Sequence, residues 1–216
     1  MENVRYGVIG IGNMGTSHSG WLAGGKIPGA TLTAVCDIDE KRRAWAKENL
    51  PEVAVFEDYK ELLDSSLVDA VIIAVPHYLH PEMAIESLKR NINTMVEKPA
   101  GVYASQIREM NAEAEKHPDV KFAMMFNQRT NPLYQKVKEI LDAGTIGELR
   151  RVTWIITSWW RTQKYYDSSA WRATWAGEGG GVLLNQCPHN LDLWQWIFGM
   201  PQRIFANCAI GKYHDI

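Results

Sequence analysis

Cysteine is scarce in this chain of 216 residues: Cys36, Cys187 and Cys208, an odd number at scattered positions. That count leaves no disulfide framework and suits a reducing, cytoplasmic location. An excess of one charge is missing too. The 23 Lys and Arg face 25 Asp and Glu, so the formal net charge of −2 gives no reason to expect nucleic acid or an anionic membrane as partner. No apolar run approaches the ~20 residues of a membrane span. The opening MENVRYG lacks the basic region and apolar core of a signal peptide, so none is expected. Metal-ligand spacing is lacking as well. His77 and His80 have no third ligand at zinc-like spacing, and Cys187 and His189 are expected on different helix faces, so no metal is expected. Repeats and low-complexity segments are absent. What remains is an ordinary globular composition, in a chain longer than one typical domain and shorter than two of about 150 residues.

Within that frame the densest signal is VRYGVIGIGNMG, Val4 to Gly15. Val4, Tyr6, Val8 and Ile9 form an apolar run suited to a buried parallel strand. Gly10, Gly12 and Gly15 follow at G-x-G-x-x-G spacing. Gly10 permits the sharp turn, Gly12 lets the backbone approach a pyrophosphate, and Gly15 lets the next helix pack closely. That helix would aim the N–H groups of Asn13, Met14 and Gly15 at the phosphates. Met14, His18, Trp21 and Leu22 are expected to form its inward stripe. The second strand ends at Asp37, 22 residues past Gly15, where a carboxylate binds the adenine ribose hydroxyls and repels a 2′-phosphate. Ile38 and Asp39 follow rather than Arg, which favours NAD over NADP.

Strand and helix patterns then alternate through residue 126. Strands are expected at Val53–Phe56, Ala70–Val75, Thr94–Val96 and Val120–Phe126. Helices are expected at Glu40–Leu50, Asp58–Asp64, His80–Arg90 and Ser105–Lys116. Short links between such units predict a doubly wound parallel α/β domain, residues 1–126, of the dinucleotide-binding Rossmann type. Residues 127–216 read differently, as a partial α+β domain. A helix at Pro132–Ala143 precedes a long alternating strand, Glu148–Trp160, and an aperiodic aromatic segment, 161–181. A helix at Val182–Phe198 and a strand at Gln202–Ile210 close the chain. Asn185, His189 and Asp192 are expected on one face of that last helix. Seven of the nine tryptophans lie between Trp154 and Trp196, and aromatic faces with polar edges suit a polyol or sugar ring.

The Gly-rich turn, AVPHYLH (Ala74 to His80), MVEKPAG (Met95 to Gly101), FNQRTNP (Phe126 to Pro132) and SAWRATWAGEGGGVLLNQCPHNLDLWQWIFGMP together resemble the glucose–fructose oxidoreductase/inositol dehydrogenase/MocA-like family. The resemblance covers the whole chain. It implies an NAD-dependent dehydrogenase or reductase acting on a secondary hydroxyl of a sugar, inositol or related polyol. It also implies a second domain whose open sheet mediates homo-oligomer contacts. Two other roles go with the same motifs: a dinucleotide-binding regulator without catalysis, and NAD-dependent glycoside cleavage through transient hydride removal. Lys98 and His189 are both retained, which argues against the regulator.

Oxidising an alcohol needs a hydride acceptor, a base for the hydroxyl proton and a donor to the developing oxyanion. Lys98 resembles the family's EKP lysine, which faces the reacting bond. Lysine starts near pKa ~10.4. A nicotinamide cation ~5 Å away opposes its protonation by about 3 kcal/mol at an effective dielectric of ~20, roughly 2 pKa units, and desolvation adds to this. Glu97 is expected to meet the cofactor or hold Lys98. His189 resembles the family histidine that contacts the substrate hydroxyl. At Asn185 many members carry aspartate. Asparagine cannot act as a base, yet it orients a hydroxyl by hydrogen bonding. Pro76, His77 and His80 resemble the segment bordering the cofactor. Trp171 and Arg172 resemble a pair near the nicotinamide. Asn127 on the cofactor side and Arg129 on the substrate side are expected to line the cleft. With only two clear strands in 90 residues, the second domain is expected to be truncated, with Ile155, Ile204 and Phe205 near an unfinished face. Such a chain would bind NAD, turn over poorly and associate.

Overall fold

Residues 3–157, 160–209 and 213–216 are described in this computed structural model. The apolar runs of the first half become strands because both of their faces are covered. Strands β1 (Val4–Ile9), β2 (Ala30–Cys36), β3 (Ala54–Phe56), β4 (Ala70–Ile73), β5 (Asn93–Val96) and β6 (Phe122–Met124) form one all-parallel sheet in the order β3-β2-β1-β4-β5-β6. Successive residues of a strand point to opposite faces. Val8, Val35 and Ile72 accordingly join one core, with Leu22 of α1 (Asn13–Ala23) and Ala46 of α2 (Glu40–Asn49). Their neighbours Ile9, Ala34, Cys36, Val71 and Ile73 join the other. That core includes Leu62 of α3 (Tyr59–Asp64), Ala84 of α4 (His80–Lys89) and Met110 of α5 (Ala104–Lys116). Helices on both faces make the sheet doubly wound. Strand order reverses between β1 and β4, and such a switch point opens a crevice at the carboxyl ends of the strands.

The buried face of α1 differs from the expected stripe. Gly15, His18, Ser19 and Leu22 are buried, while Met14 and Trp21 are nearly half exposed. Contact at Gly15 turns the helix so that the inward line runs through that glycine rather than through Met14. Cys36 is buried at the end of β2 and donates to the Glu57 carbonyl at 3.3 Å. Burial, then the nearby charges of Asp37 and Asp58, push its thiol up to about 12.

The chain divides into two compact units, Met1–Met125 and Phe126–Ile216. The second unit contains a 3₁₀ turn, Asn127–Thr130, and helices α6 (Pro132–Asp142), α7 (Gln163–Asp167), α8 (Val182–Asn185) and α9 (Pro188–Phe198). Trp154 packs among Tyr134, Trp194 and Phe198, with ring centroids 6.1 to 6.5 Å apart. Two expectations are corrected here. The single helix Val182–Phe198 is two helices, because Pro188 lacks an N–H and disfavours helical geometry in the residue before it. Cys187, with φ −100° and ψ 6°, stands at the break. The expected strands Glu148–Trp160 and Gln202–Ile210 are irregular chain among the described residues, which leave out Ser158, Trp159 and Ile210. Alternation says only that one face seeks burial; a strand also needs a hydrogen-bonded neighbour, and neither segment has one among the described residues. Ile155, Ile204 and Phe205 are 76, 82 and 89% exposed. Among the described residues no helix is long and apolar enough to cross a membrane.

Candidate active site

The three glycines do three separate jobs. Gly10 sits at φ +86°, and a Cβ there would lie 2.7 Å from the Ala74 carbonyl oxygen. A Cβ on Gly15 would lie 1.8 Å from the Gly10 carbonyl oxygen, so α1 reaches its seat on β1 only with glycine there. A Cβ on Gly12 would meet nothing within 4 Å. Gly12 faces open space at the N-terminus of α1, where no side chain caps the first turn formed by Asn13, Met14 and Gly15. An open cradle beneath uncapped N–H groups fits a dinucleotide's pyrophosphate. Asp37 stands beside it at the end of β2. Its Oδ2 accepts from the Ile11 amide at 2.8 Å and its Oδ1 from the Asp39 amide at 2.9 Å, which fixes the carboxylate while leaving lone pairs for a ribose. Sequence reading missed Arg43, one turn into α2. Its Nη1 donates to the carbonyls of Asp37 and Ile38 at 3.0 and 2.8 Å, and it pairs with Glu57 at 2.9 Å.

Two strands from β1 in the sheet, Lys98 is half-buried in the turn after β5, and both sides of that turn are tied down. Glu97 is buried, and its Oε1 lies 2.8 Å from His18 Nε2 on α1. Its Oε2 accepts from the Lys98 amide at 3.1 Å. Burial alone would raise the Glu97 carboxyl. The hydrogen bond and charge of His18, helped by Lys98, hold it below the ordinary glutamate value. Glu97 thus grips the Lys98 backbone, and its partner His18, buried as well, was not anticipated as a site residue. On the other side His80 Nδ1 lies 2.7 Å from the Pro99 carbonyl and Nε2 lies 2.8 Å from the Val75 carbonyl. Both ring nitrogens are engaged and the side chain is 1% exposed, so His80 is a tie between the β4 and β5 loops rather than a cofactor ligand. Burial pulls its pKa down, against the two carbonyls and Glu97, which favour the charged ring. In the same loop Pro76 is exposed, and His77 is buried with its ring centroid 6.1 Å from that of His80.

The second unit carries the other candidates. Asn127 is exposed in the 3₁₀ turn. Arg129, expected to meet substrate, is instead committed to Asp192. Its Nε donates to Oδ2 at 2.8 Å and its Nη2 to Oδ1 at 2.5 Å, and its guanidinium lies over Trp196 at 5.7 Å. The bidentate fork uses the Nε–Nη2 edge of the guanidinium, so Arg129 ties the 3₁₀ turn to α9. Arg172 lies over the rings of Tyr165 and Trp171, at 4.1 and 4.9 Å, and donates to the Tyr165 hydroxyl at 2.5 Å. Gln186 donates to the same hydroxyl at 2.8 Å. His189 stands in the first turn of α9, edge-on to Phe126. Asn185, at the end of α8, is buried. Its Nδ2 donates to Oε1 of the buried Glu178 at 2.5 Å. Glu178 lies in the aperiodic segment 161–181 and was not singled out from sequence; its signal was a lone acid set directly before three glycines. Among the described residues no group of three or more His, Cys, Asp or Glu is placed to hold a metal.

Residues 4–125 match a family model described as "Oxidoreductase family, NAD-binding Rossmann fold", and residues 134–215 match "GFO/IDH/MocA C-terminal domain". The chain belongs to this family. The family's cofactor chemistry agrees with the cradle at Gly12. Among relatives, myo-inositol 2-dehydrogenase of Thermotoga maritima is 30% identical over 99% of this chain and 62% of its own length. Inositol 2-dehydrogenase of Rubrobacter xylanophilus is 31% identical over 90% of this chain and 52% of its own length. The chain therefore spans little more than half the length of these relatives. Crystal structures agree. Myo-inositol 2-dehydrogenase of Lactobacillus plantarum superposes with a TM-score of 0.76 at 29% identity, over 92% of this chain and 57% of that one. The WlbA dehydrogenase of Bordetella pertussis, solved with NADH and UDP-GlcNAcA, gives 0.79 at 27% identity, over 92% of this chain and 59% of that one.

Proposed function

We propose that the chain serves an NAD-dependent dehydrogenase that transfers a hydride between the cofactor and a secondary hydroxyl of an inositol, sugar or related polyol. NAD, when bound, supplies the hydride acceptor. The carrying observation is the 2.8 Å contact between His18 and Glu97. It joins the helix that begins at the pyrophosphate cradle to the carboxylate that holds the Lys98 backbone. Cofactor anchor and candidate base are thereby parts of one rigid carboxyl edge. Lys98 is assigned the proton from the reacting hydroxyl. Asn185 and His189 are assigned hydrogen bonds to substrate hydroxyls, and Trp171 an apolar face for the ring. Asp37 is assigned the adenine ribose. The relatives that act on inositol or bind a sugar nucleotide support the substrate class. A cytoplasmic location and homo-oligomer contacts through the second unit go with this reading.

The test is a panel of inositols, sugars and sugar nucleotides, followed by NADH absorbance with NAD⁺ and NADP⁺ in parallel. On the polyol that reacts, Lys98→Ala is expected to lower turnover by about 10²–10⁴-fold with NAD still bound. Near-normal turnover in that variant would remove Lys98 as the base. No reduction on any polyol would remove the dehydrogenase reading.

A further inference from the structure

An arginine near the end of the second strand is the residue type that accommodates a 2′-phosphate in NADP-binding Rossmann folds. Arg43 stands near that place but is committed to the backbone. Its side chain is 18% exposed. Its Nη1 serves the carbonyls of Asp37 and Ile38 at 3.0 and 2.8 Å. Its Nη2 meets Glu57 Oε2 at 2.9 Å, and Glu57 is largely in solvent, so that ion pair adds little. The carbonyl contacts weigh more, because of what lies at the other end of the same peptide unit. A trans peptide is planar, and its C=O and N–H point in opposite directions. The Ile38 carbonyl and the Asp39 N–H belong to one such unit. Arg43 holds the carbonyl end, and the N–H end donates to Asp37 Oδ1 at 2.9 Å. A donor on the carbonyl also polarises the unit and strengthens its N–H as a donor. Packing does not fix this unit, since the Ile38 side chain is 83% exposed. Hydrogen bonds do. Beyond it the Asp39 carboxylate accepts from the Lys41 amide at 2.8 Å, and the Asp39 carbonyl accepts from the Arg43 amide at 3.0 Å. Turn, first helical turn and guanidinium thus close on one another behind the Asp37 carboxylate.

We infer that Arg43 is a positioning residue for cofactor choice. Through the Ile38–Asp39 peptide it holds the Asp37 carboxylate where that group serves the adenine ribose hydroxyls and repels a 2′-phosphate. An arginine therefore works here for NAD rather than for NADP. That Asp37 meets the ribose rests on the reading above. The hold of Arg43 on the turn rests on its own contacts.

Fluorescence titration of the protein with NADH and NADPH tests it and needs no turnover. Arg43→Ala is expected to raise the Kd for NADH about tenfold, the scale of one hydrogen bond to a charged group, and to leave that for NADPH within about threefold of wild type. Arg43→Gln keeps a shorter N–H donor without the charge. It is expected to narrow the preference by about threefold, and it carries the test should the alanine variant fail to fold. In an Asp37→Ala background, adding Arg43→Ala is expected to change the ratio of the two constants by less than about twofold, because effects that run through one contact do not add. If both constants rise together, or neither moves, the inference is overturned, since a merely structural loss does not discriminate between the two nucleotides. Equal narrowing with and without the Asp37 carboxylate overturns it too, because Arg43 would then act on the nucleotide itself. Should the wild type show no preference for NADH, or should Asp37→Ala alone leave that preference unchanged, the ribose assignment falls first and takes the role of Arg43 with it.

Discussion

In the proposed function Asp37 selects the cofactor by charge. Its carboxylate is fixed by two backbone amides, and a 2′-phosphate would stand against it. NAD(H) is expected to bind more tightly than NADP(H). Asp37→Ala combined with Ile38→Arg should weaken that preference by about 1–3 kcal/mol; fluorescence titration with both cofactors measures it, and tighter NADPH binding by the wild type would reverse the assignment. Glu97 makes a pH-dependent contribution. Its folded pKa lies below the ordinary value, so its stabilisation is complete above the unfolded value of about 4.3 and drains away as pH falls through the folded one. Glu97→Gln should cost about 1–3 kcal/mol at neutral pH and flatten the acid limb of a urea-unfolding series. An unchanged acid limb would refute that. The places of Gly10, Gly12, Gly15, Asp37 and Lys98 just past the carboxyl ends of their strands were legible because their spacing is local. His18 and Glu97 are 79 residues apart, and no local pattern announces such a meeting. The ties on Arg129 and His80 were hidden for the same reason: a side chain's partner is set by the fold, and each looked available until its partner was placed.

At the scale of an element, α1 separates two glycines that a motif treats alike. Gly15→Ala forces a Cβ into the Gly10 carbonyl, which pushes the helix off its strand. It is expected to cost about 1–3 kcal/mol or more in unfolding free energy. Gly12→Ala meets open space, so stability should stay within roughly 1 kcal/mol of wild type while NAD affinity falls at least about tenfold as the methyl enters the cradle. Thermal denaturation and cofactor titration of both variants check this; equal loss of stability would contradict the separation. The six parallel strands were readable because helices bury both faces and leave unbroken apolar runs. The second unit was harder. Alternation in Glu148–Trp160 and Gln202–Ile210 records a preferred face but carries no information about a pairing partner. The break between α8 and α9 was written in the sequence at Pro188, and the regular spacing of Asn185, His189 and Asp192 outweighed it in the reading.

For the molecule as a whole, apolar surface is uneven. In the second unit Ile155, Trp175, Met200, Ile204 and Phe205 are all more than 70% exposed, and exposed apolar side chains of this size favour association where they adjoin. The chain is expected to associate in a concentration-dependent way, and Ile204→Glu with Phe205→Glu should shift it to smaller species in light scattering. A wild type that stays monomeric at high concentration would count against it. Cys36, sealed beneath β2 with its thiol near 12, has a different consequence. Cys208 is exposed and Cys187 only partly so. A maleimide dye at neutral pH therefore settles on Cys208 and passes over the nucleotide-binding sheet. One natural thiol gives the second unit its own optical label, with no engineering of the first.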